Sequence, residues 1–178
     1  MRILLLDNDD SFTRNLEHLL VAEIGAVPQV LPHSRLGEVR PAEWDLAVLS
    51  PGPGSPQDYP GYGPLLDSGL PVLGVCLGLQ IINVHLGGDT GRLSACVHGR
   101  TEDIHFAGQP RTVARYHSLH LSRLGEGLEV LAVNRDGVPM AACHSSRPLM
   151  GYQFHPESFL TPDGGYFIRY ALTRLGLS

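Results

Sequence analysis

Apolar and polar positions follow two rhythms along this chain. Arg2 to Asp7 is a short, nearly continuous apolar run, the pattern of a strand buried on both faces, as in a parallel sheet. Beyond it Phe12, Leu16, Leu19, Leu20 and Ile24 fall at helical spacing. They predict a helix that Ser11 can cap and Gly25 ends. Val27 to Leu31, Trp44 to Leu49 and Leu70 to Val75 read as three further strands, the last running straight into an apolar helix. Such alternation predicts an α/β sheet wound with right-handed crossovers, its functional groups on loops at the carboxyl ends of the strands.

After Gly88 the segments shorten. β-like content around Val97, Ile104, Val113, Val130, Met140 and Tyr152 is separated by Gly, Pro, Asn and Asp, and reads as antiparallel additions or sheet extensions. Tyr166 to Leu175 is helical again, with Phe167, Tyr170, Ala171 and Leu175 on one face. No repeat or linker divides the 178 residues, so a single domain over 1–178 is expected.

Composition changes this picture mainly by exclusion. The 13 basic residues are all Arg, against 18 acidic ones, for a net charge of -5. Without Lys there is no Schiff-base lysine and no phosphate-reaching Lys of a Walker A loop. Scattered Arg on an acidic chain argues against nucleic acid as the partner. Ser68 to Gly88 carries no Asp, Glu, Lys or Arg and is long enough to test as a membrane span. Pro71, three internal glycines, Gln80, Asn83 and His85 make it instead a buried strand, a turn and a buried helix, with no membrane segment expected. Ile3 to Leu6, cut off by Asp7, is too short for the core of a secretory signal. Cys76, Cys96 and Cys143 form neither a CxxC pair nor a dense pattern, which suits a reducing, cytoplasmic setting.

The sharpest chemical feature is Gly74-Val75-Cys76-Leu77-Gly78, where an apolar strand meets an apolar helix. It is the cysteine counterpart of the GxSxG nucleophile elbow, in which flanking glycines let the chain turn sharply and present a side chain above the sheet. A thiol at a helix start feels the positive end of the macrodipole, and the Leu77 N–H has no helical partner and is free for an oxyanion. Taken alone, a cysteine is more often a small apolar core residue. In Phe154-His155-Pro156-Glu157 the proline pushes His155 into an extended conformation. Residues two apart then point the same way, so Glu157 can hold one ring nitrogen and leave the other for the thiol. Cys76, His155 and Glu157 make a plausible triad. Ser50-Pro51-Gly52-Pro53-Gly54-Ser55-Pro56 fails as a phosphate cradle, because Gln57 stands where a third glycine belongs and prolines offer no N–H. It can form a rigid wall in which Gly54 supplies an N–H near a reacting carbonyl. His117 and His120 are three apart but lack a second ligand pair, so no metal site is expected.

Together, Pro51-Gly52-Pro53-Gly54, Gly74-Val75-Cys76-Leu77-Gly78-Leu79-Gln80, Tyr116-His117-Ser118-Leu119 and Phe154-His155-Pro156-Glu157-Ser158 resemble the class I (triad) glutamine amidotransferases in order and spacing. The opening Asp7-Asn8-Asp9-Asp10-Ser11-Phe12-Thr13-Arg14-Asn15-Leu16, with His98-Gly99, narrows the resemblance to the small subunits of anthranilate and aminodeoxychorismate synthases. It implies a mostly parallel, flavodoxin-like open sheet flanked by helices, with an added antiparallel β section. It further implies that Cys76 attacks the side-chain amide of glutamine with His155 as base and then acid. Gly54 and Leu77 would form the oxyanion hole, and Gly52, Pro53, Gly54, Gln80, Ser118 and Leu119 would hold glutamine. The implied partner is a chorismate-binding synthase subunit, component I, which receives the ammonia and carries the only Mg2+; no cofactor is implied in this chain. An amidotransferase subunit for another acceptor, such as guanylate synthesis, and a non-catalytic module keeping the fold are the competing readings. The sequence departs from the family pattern at Leu79, where these subunits usually carry His, at Asp9 and Arg14, usually aromatic, and in a shortened stretch from His98 to Tyr116.

Overall fold

In the computed structural model, which describes residues 1–92 and 99–177, the chain runs β1 (Ile3–Asp7), α1 (Thr13–Ile24), β2 (Gln29–Pro32), β3 (Leu46–Leu49), α2 (Gly63–Leu66), β4 (Val72–Val75) and α3 (Leu77–His85). It continues through β5 (Asp89–Arg92), β6 (Arg100–Phe106), β7 (Gln109–Arg115), β8 (Leu119–Arg123), β9 (Leu128–Val133), β10 (Pro139–His144), β11 (Leu149–Tyr152) and α4 (Gly164–Arg174). Seven strands form one sheet in the order β2-β1-β3-β4-β11-β10-β9, while β5 pairs with β8 and β6 with β7 in two-stranded ribbons. The five strands from β2 to β11 are parallel; β10 and β9 extend the sheet antiparallel.

The continuous apolar runs are explained by helices on both faces of the sheet. Successive side chains of a strand point to opposite faces. Ile3 and Leu5 of β1 therefore pack with Leu16 and Leu20 of α1 and Phe167 and Ile168 of α4. Leu4 and Leu6 pack on the other side with Leu77, Ile81 and Ile82 of α3. Each such side chain contributes about 1.5–3 kcal/mol by leaving water. No helix among the described residues is long and apolar enough to cross a membrane.

The expected elements differ at their ends. The second strand begins at Gln29, not Val27, which is 76% exposed. Trp44 closes a turn of 3-10 helix before the third, and Pro71, which has no N–H for a ladder, precedes the fourth. At α1, Ser11 is not the cap. Phe12 holds the cap position without a side-chain bond, so the aromatic ring assigned to the helix face stands outside the helix. Tyr152 lies in a strand parallel to β4, where antiparallel pairing or simple extension was open. The β segment placed at Val97, with Cys96 and His98, lies outside the described residues.

Candidate active site

Cys76 joins β4 to α3 with φ 52° and ψ -102°. This is a strained conformation for a residue with a Cβ, and it persists only where the surroundings over-determine it. Its N–H donates to the Tyr152 carbonyl at 2.7 Å and its carbonyl accepts from the Gln80 N–H at 3.2 Å. Close packing leaves no room for alternatives. A Cβ on Gly74 would lie 2.4 Å from the Gly78 carbonyl carbon, and one on Gly78 would lie 2.4 Å from the Leu49 carbonyl oxygen. Both glycines are required because α3 starts directly against the sheet. The turn leaves Cys76 only 8% exposed at the first turn of α3.

His155 lies beyond the end of β11, where its N–H donates to the Ala114 carbonyl at 3.2 Å. Thr161 ties the same pair together: its hydroxyl donates to the His155 carbonyl at 2.7 Å and accepts the Ala114 N–H at 3.0 Å. His155 Nδ1 is 2.7 Å from Glu157 Oε1, with side-chain exposures of 4% and 0%. A carboxylate only accepts, so Nδ1 carries the proton, and the other ring nitrogen is left for Cys76, which lines the same cavity. The expected route to this pair needs correction. Ser158 N–H donates to the His155 carbonyl at 3.3 Å, so Pro156 and Glu157 form the corner of a tight turn and not an extended segment. The carboxylate reaches the ring because the chain folds back.

Burial acts against a charged His155. Interactions with Cys76 and the Glu157 carboxylate outweigh it, holding the imidazole pKa well above its ordinary value.

Cys76 and His155 open onto a cavity of about 280 Å3, near the lower end of ligand pockets at ~300–1,000 Å3. Gly52, Pro53, Gly54, Leu77, Gln80, Ser118 and Leu119 all line it. Glu157 lies behind the imidazole, away from the cavity. Asn8 secures the Gly52 wall: its N–H donates to Ser50 Oγ at 2.8 Å, its side-chain amide to the Ser50 carbonyl at 2.9 Å, and the Tyr59 hydroxyl donates to its carbonyl at 2.9 Å. The Gln80 side-chain amide is already engaged, with Nε2 3.2 Å from both the Leu119 carbonyl and Gln153 Oε1. It braces the loop opposite the elbow.

Sequence reasoning missed several residues of this site. Gln153 Nε2 lies 3.6 Å from the Cys76 sulfur, and only its place beside Phe154 hinted at it. Asp10 and Phe12 line the cavity; both lie in the opening motif, but neither was assigned to the site, and Phe12 was placed on a helix face. Burial and the backbone-bonded N–H of Phe12 act oppositely on Asp10, with burial raising its pKa. His117 also lines the cavity and bonds the Leu119 carbonyl through Nδ1 at 2.8 Å. Among the described residues no group of three or more His, Cys, Asp or Glu could hold a metal ion. Leu79 points elsewhere, fully buried with Leu121, Leu128 and Ala142.

A family model described as glutamine amidotransferase class-I matches residues 4–175. The chain is 45% identical over 181 residues to an anthranilate synthase of Azospirillum brasilense and 44% identical over 180 residues to an aminodeoxychorismate synthase of Streptomyces griseus. In each case 92% of this chain is covered, and it spans only about a quarter of the relative, 24% and 25%. Identity is 41% to the pyocyanine-specific anthranilate synthase component 2 of Pseudomonas aeruginosa, covering 99% of this chain and 95% of that protein. Among solved structures, a protein described as a GMP synthase subunit from Thermoplasma acidophilum superposes with a TM-score of 0.84 over 99% of this chain and 94% of that one. At 22% identity that likeness concerns the fold alone.

Proposed function

The chain belongs to the class I glutamine amidotransferase family, and from that premise we propose that it hydrolyses L-glutamine through Cys76, His155 and Glu157 and passes the ammonia to a chorismate-binding synthase subunit. His155 takes the thiol proton as the Cys76 sulfur attacks the side-chain amide carbon, and the oxygen that becomes negative is met by the Gly54 and Leu77 N–H groups. His155 gives its proton to the amide nitrogen, the carbon–nitrogen bond breaks, and ammonia leaves. A water molecule then attacks the thioester while His155 takes its proton. The proton returns to sulfur as glutamate is released. Glu157 keeps the ring in one tautomer and favours the charged form throughout. Gly52, Pro53, Ser118 and Leu119 enclose the glutamine, with Gln80 bracing Leu119.

Nucleophile, base and oxyanion donors all come from this chain, so the hydrolysis as proposed calls on no cofactor; Mg2+ belongs to the partner. The names of the relatives support anthranilate or 4-amino-4-deoxychorismate as the product made by the partner. The observation that carries the reading is the buried relay, with Glu157 at 2.7 Å from His155 and His155 sharing one cavity with a strained Cys76.

Cys76→Ala tests it in the complex reconstituted with a chorismate-binding subunit. Glutamine-dependent synthesis is expected to fall by about 10³-fold or more. Synthesis from added ammonium salt is expected to stay within about twofold, since the partner's chemistry is untouched. An equal loss of both would overturn the division of labour.

A further inference from the structure

The loop after β1 does more than start α1. Asp7 Oδ1 accepts the Thr13 hydroxyl at 2.7 Å and the Asp10 N–H at 3.2 Å, and Asp10 Oδ1 accepts the Phe12 N–H at 2.6 Å. This knot holds Phe12 outside the buried stripe of α1, which is Thr13, Leu16 and Leu20. The Phe12 ring stands 5.7 Å from that of His155, at 63° to it. Tyr116, from the loop between β7 and β8, meets the same imidazole at 5.0 Å and 80°. The two aromatic rings touch each other at 5.3 Å. Tyr116 is itself tied to the triad turn through its hydroxyl, 3.1 Å from Ser158 Oγ. Three loops that are far apart in sequence thus meet around one histidine ring.

We infer that Phe12 and Tyr116 are positioning residues, an aromatic clamp that holds the His155 imidazole in one orientation while its protons change hands. The inference rests on the proposed hydrolysis. Glu157 anchors the ring through Nδ1, and because the other nitrogen changes partners during turnover, that bond is the one fixed tether and leaves the ring free to tilt about it. In each turnover the other nitrogen must face sulfur, then the leaving amide nitrogen, then water. Misplacement of a reacting group by about 1 Å can cost about 10²-fold in rate. Edge-on aromatic contacts with centroids at about 4.5–7 Å favour specific angles, which a flexible aliphatic side chain of similar bulk does not reproduce. Phe12 and Tyr116, in contact with each other, supply such contacts as one aromatic wall against the imidazole, and both line the cavity where the chemistry takes place.

The test compares Phe12→Leu and Tyr116→Leu with the ring-keeping Phe12→Tyr and Tyr116→Phe in the full chain, reading glutamate release and thermal unfolding. Each leucine variant is expected to lower kcat about threefold to tenfold with KM within about twofold. Each ring-keeping variant is expected to stay within about twofold of wild type in both. A leucine effect confined to KM, or to unfolding temperature, would overturn the clamp in favour of substrate contact or packing. If wild type releases no glutamate, the hydrolysis reading fails. The clamp is then decided by iodoacetamide alkylation of Cys76, located by peptide mass: slowing of about threefold or more in the leucine variants alone supports it, and equal rates in all four reject it.

Discussion

His117 shows at the scale of one residue how the fold sets an ionisation that the sequence leaves open. Its Nδ1–H donates to the Leu119 carbonyl while its other nitrogen is buried without a partner. Burial pushes its pKa down from 6.5 to about 4, against the pull of that hydrogen bond and helped by Arg115, His155 and His120. A histidine depressed in the folded state stabilises the fold fully above its unfolded pKa. That stability is lost as pH falls from about 6.5 towards 4, because the unfolded chain takes up the proton first. The slope approaches about 1.4 kcal/mol per pH unit within that window. Urea unfolding at pH 7 and pH 5 is therefore expected to show a stability loss about 1–2 kcal/mol larger for wild type than for His117→Gln. Equal losses would mean that the ring is not held neutral. Neither the burial nor the tautomer could be read from Tyr116-His117-Ser118, where the histidine figured as half of a weak metal pair and as part of a family motif.

At the scale of elements the critical contact is α3 against the sheet. Gly74 and Gly78 were legible from the elbow pattern, but their role is wider than freeing a turn: they let helix and strands approach to backbone contact. Gly78→Ala would place a methyl group 2.4 Å from the Leu49 carbonyl oxygen, backbone that cannot swing aside. A destabilisation of about 1–3 kcal/mol is expected in denaturant unfolding, from overpacking that displaces the elbow. A variant as stable as wild type would show that α3 can slide without cost. The departure at Leu79 is settled at this scale too. One turn of helix carries Cys76 and Gln80 to the cavity and Leu79 to a separate apolar cluster with residues of β8, β9 and β10, so this departure from the family pattern falls outside the cavity.

Across the whole molecule, the chain spans about a quarter of the Azospirillum and Streptomyces relatives, and the proposed transfer of ammonia makes the surface near the cavity mouth the place to look for a partner. Phe159 is 85% exposed, one residue after Ser158, which bonds the cavity-lining Tyr116. An aromatic side chain so exposed can serve as an anchor for another protein. On the proposed partnership, Phe159→Ser is expected to weaken binding to the chorismate-binding subunit by about tenfold or more by titration calorimetry. Its thermal unfolding should be unchanged. Undiminished affinity would move the interface elsewhere.

What the sequence determined by itself was whatever rests on local covalent constraint. Strands and helices follow from the period of apolar positions, which registers two buried faces whatever the topology. Cys76 stands out because glycines flank it at the strand end, and His155 because proline follows it. Those constraints act within a few residues. The tertiary structure alone decided the rest. Gln80 bonds the Leu119 carbonyl 39 residues away and Gln153 73 residues away, and Phe12 meets His155 only because β1 and β11 lie in one sheet with their carboxyl ends aligned. Contacts at that separation depend on strand order, which hydrophobic periodicity does not encode. The turn at Pro156 shows the limit from the other side: it delivers the expected partner, Glu157, by a path that only the backbone hydrogen bond to His155 reveals.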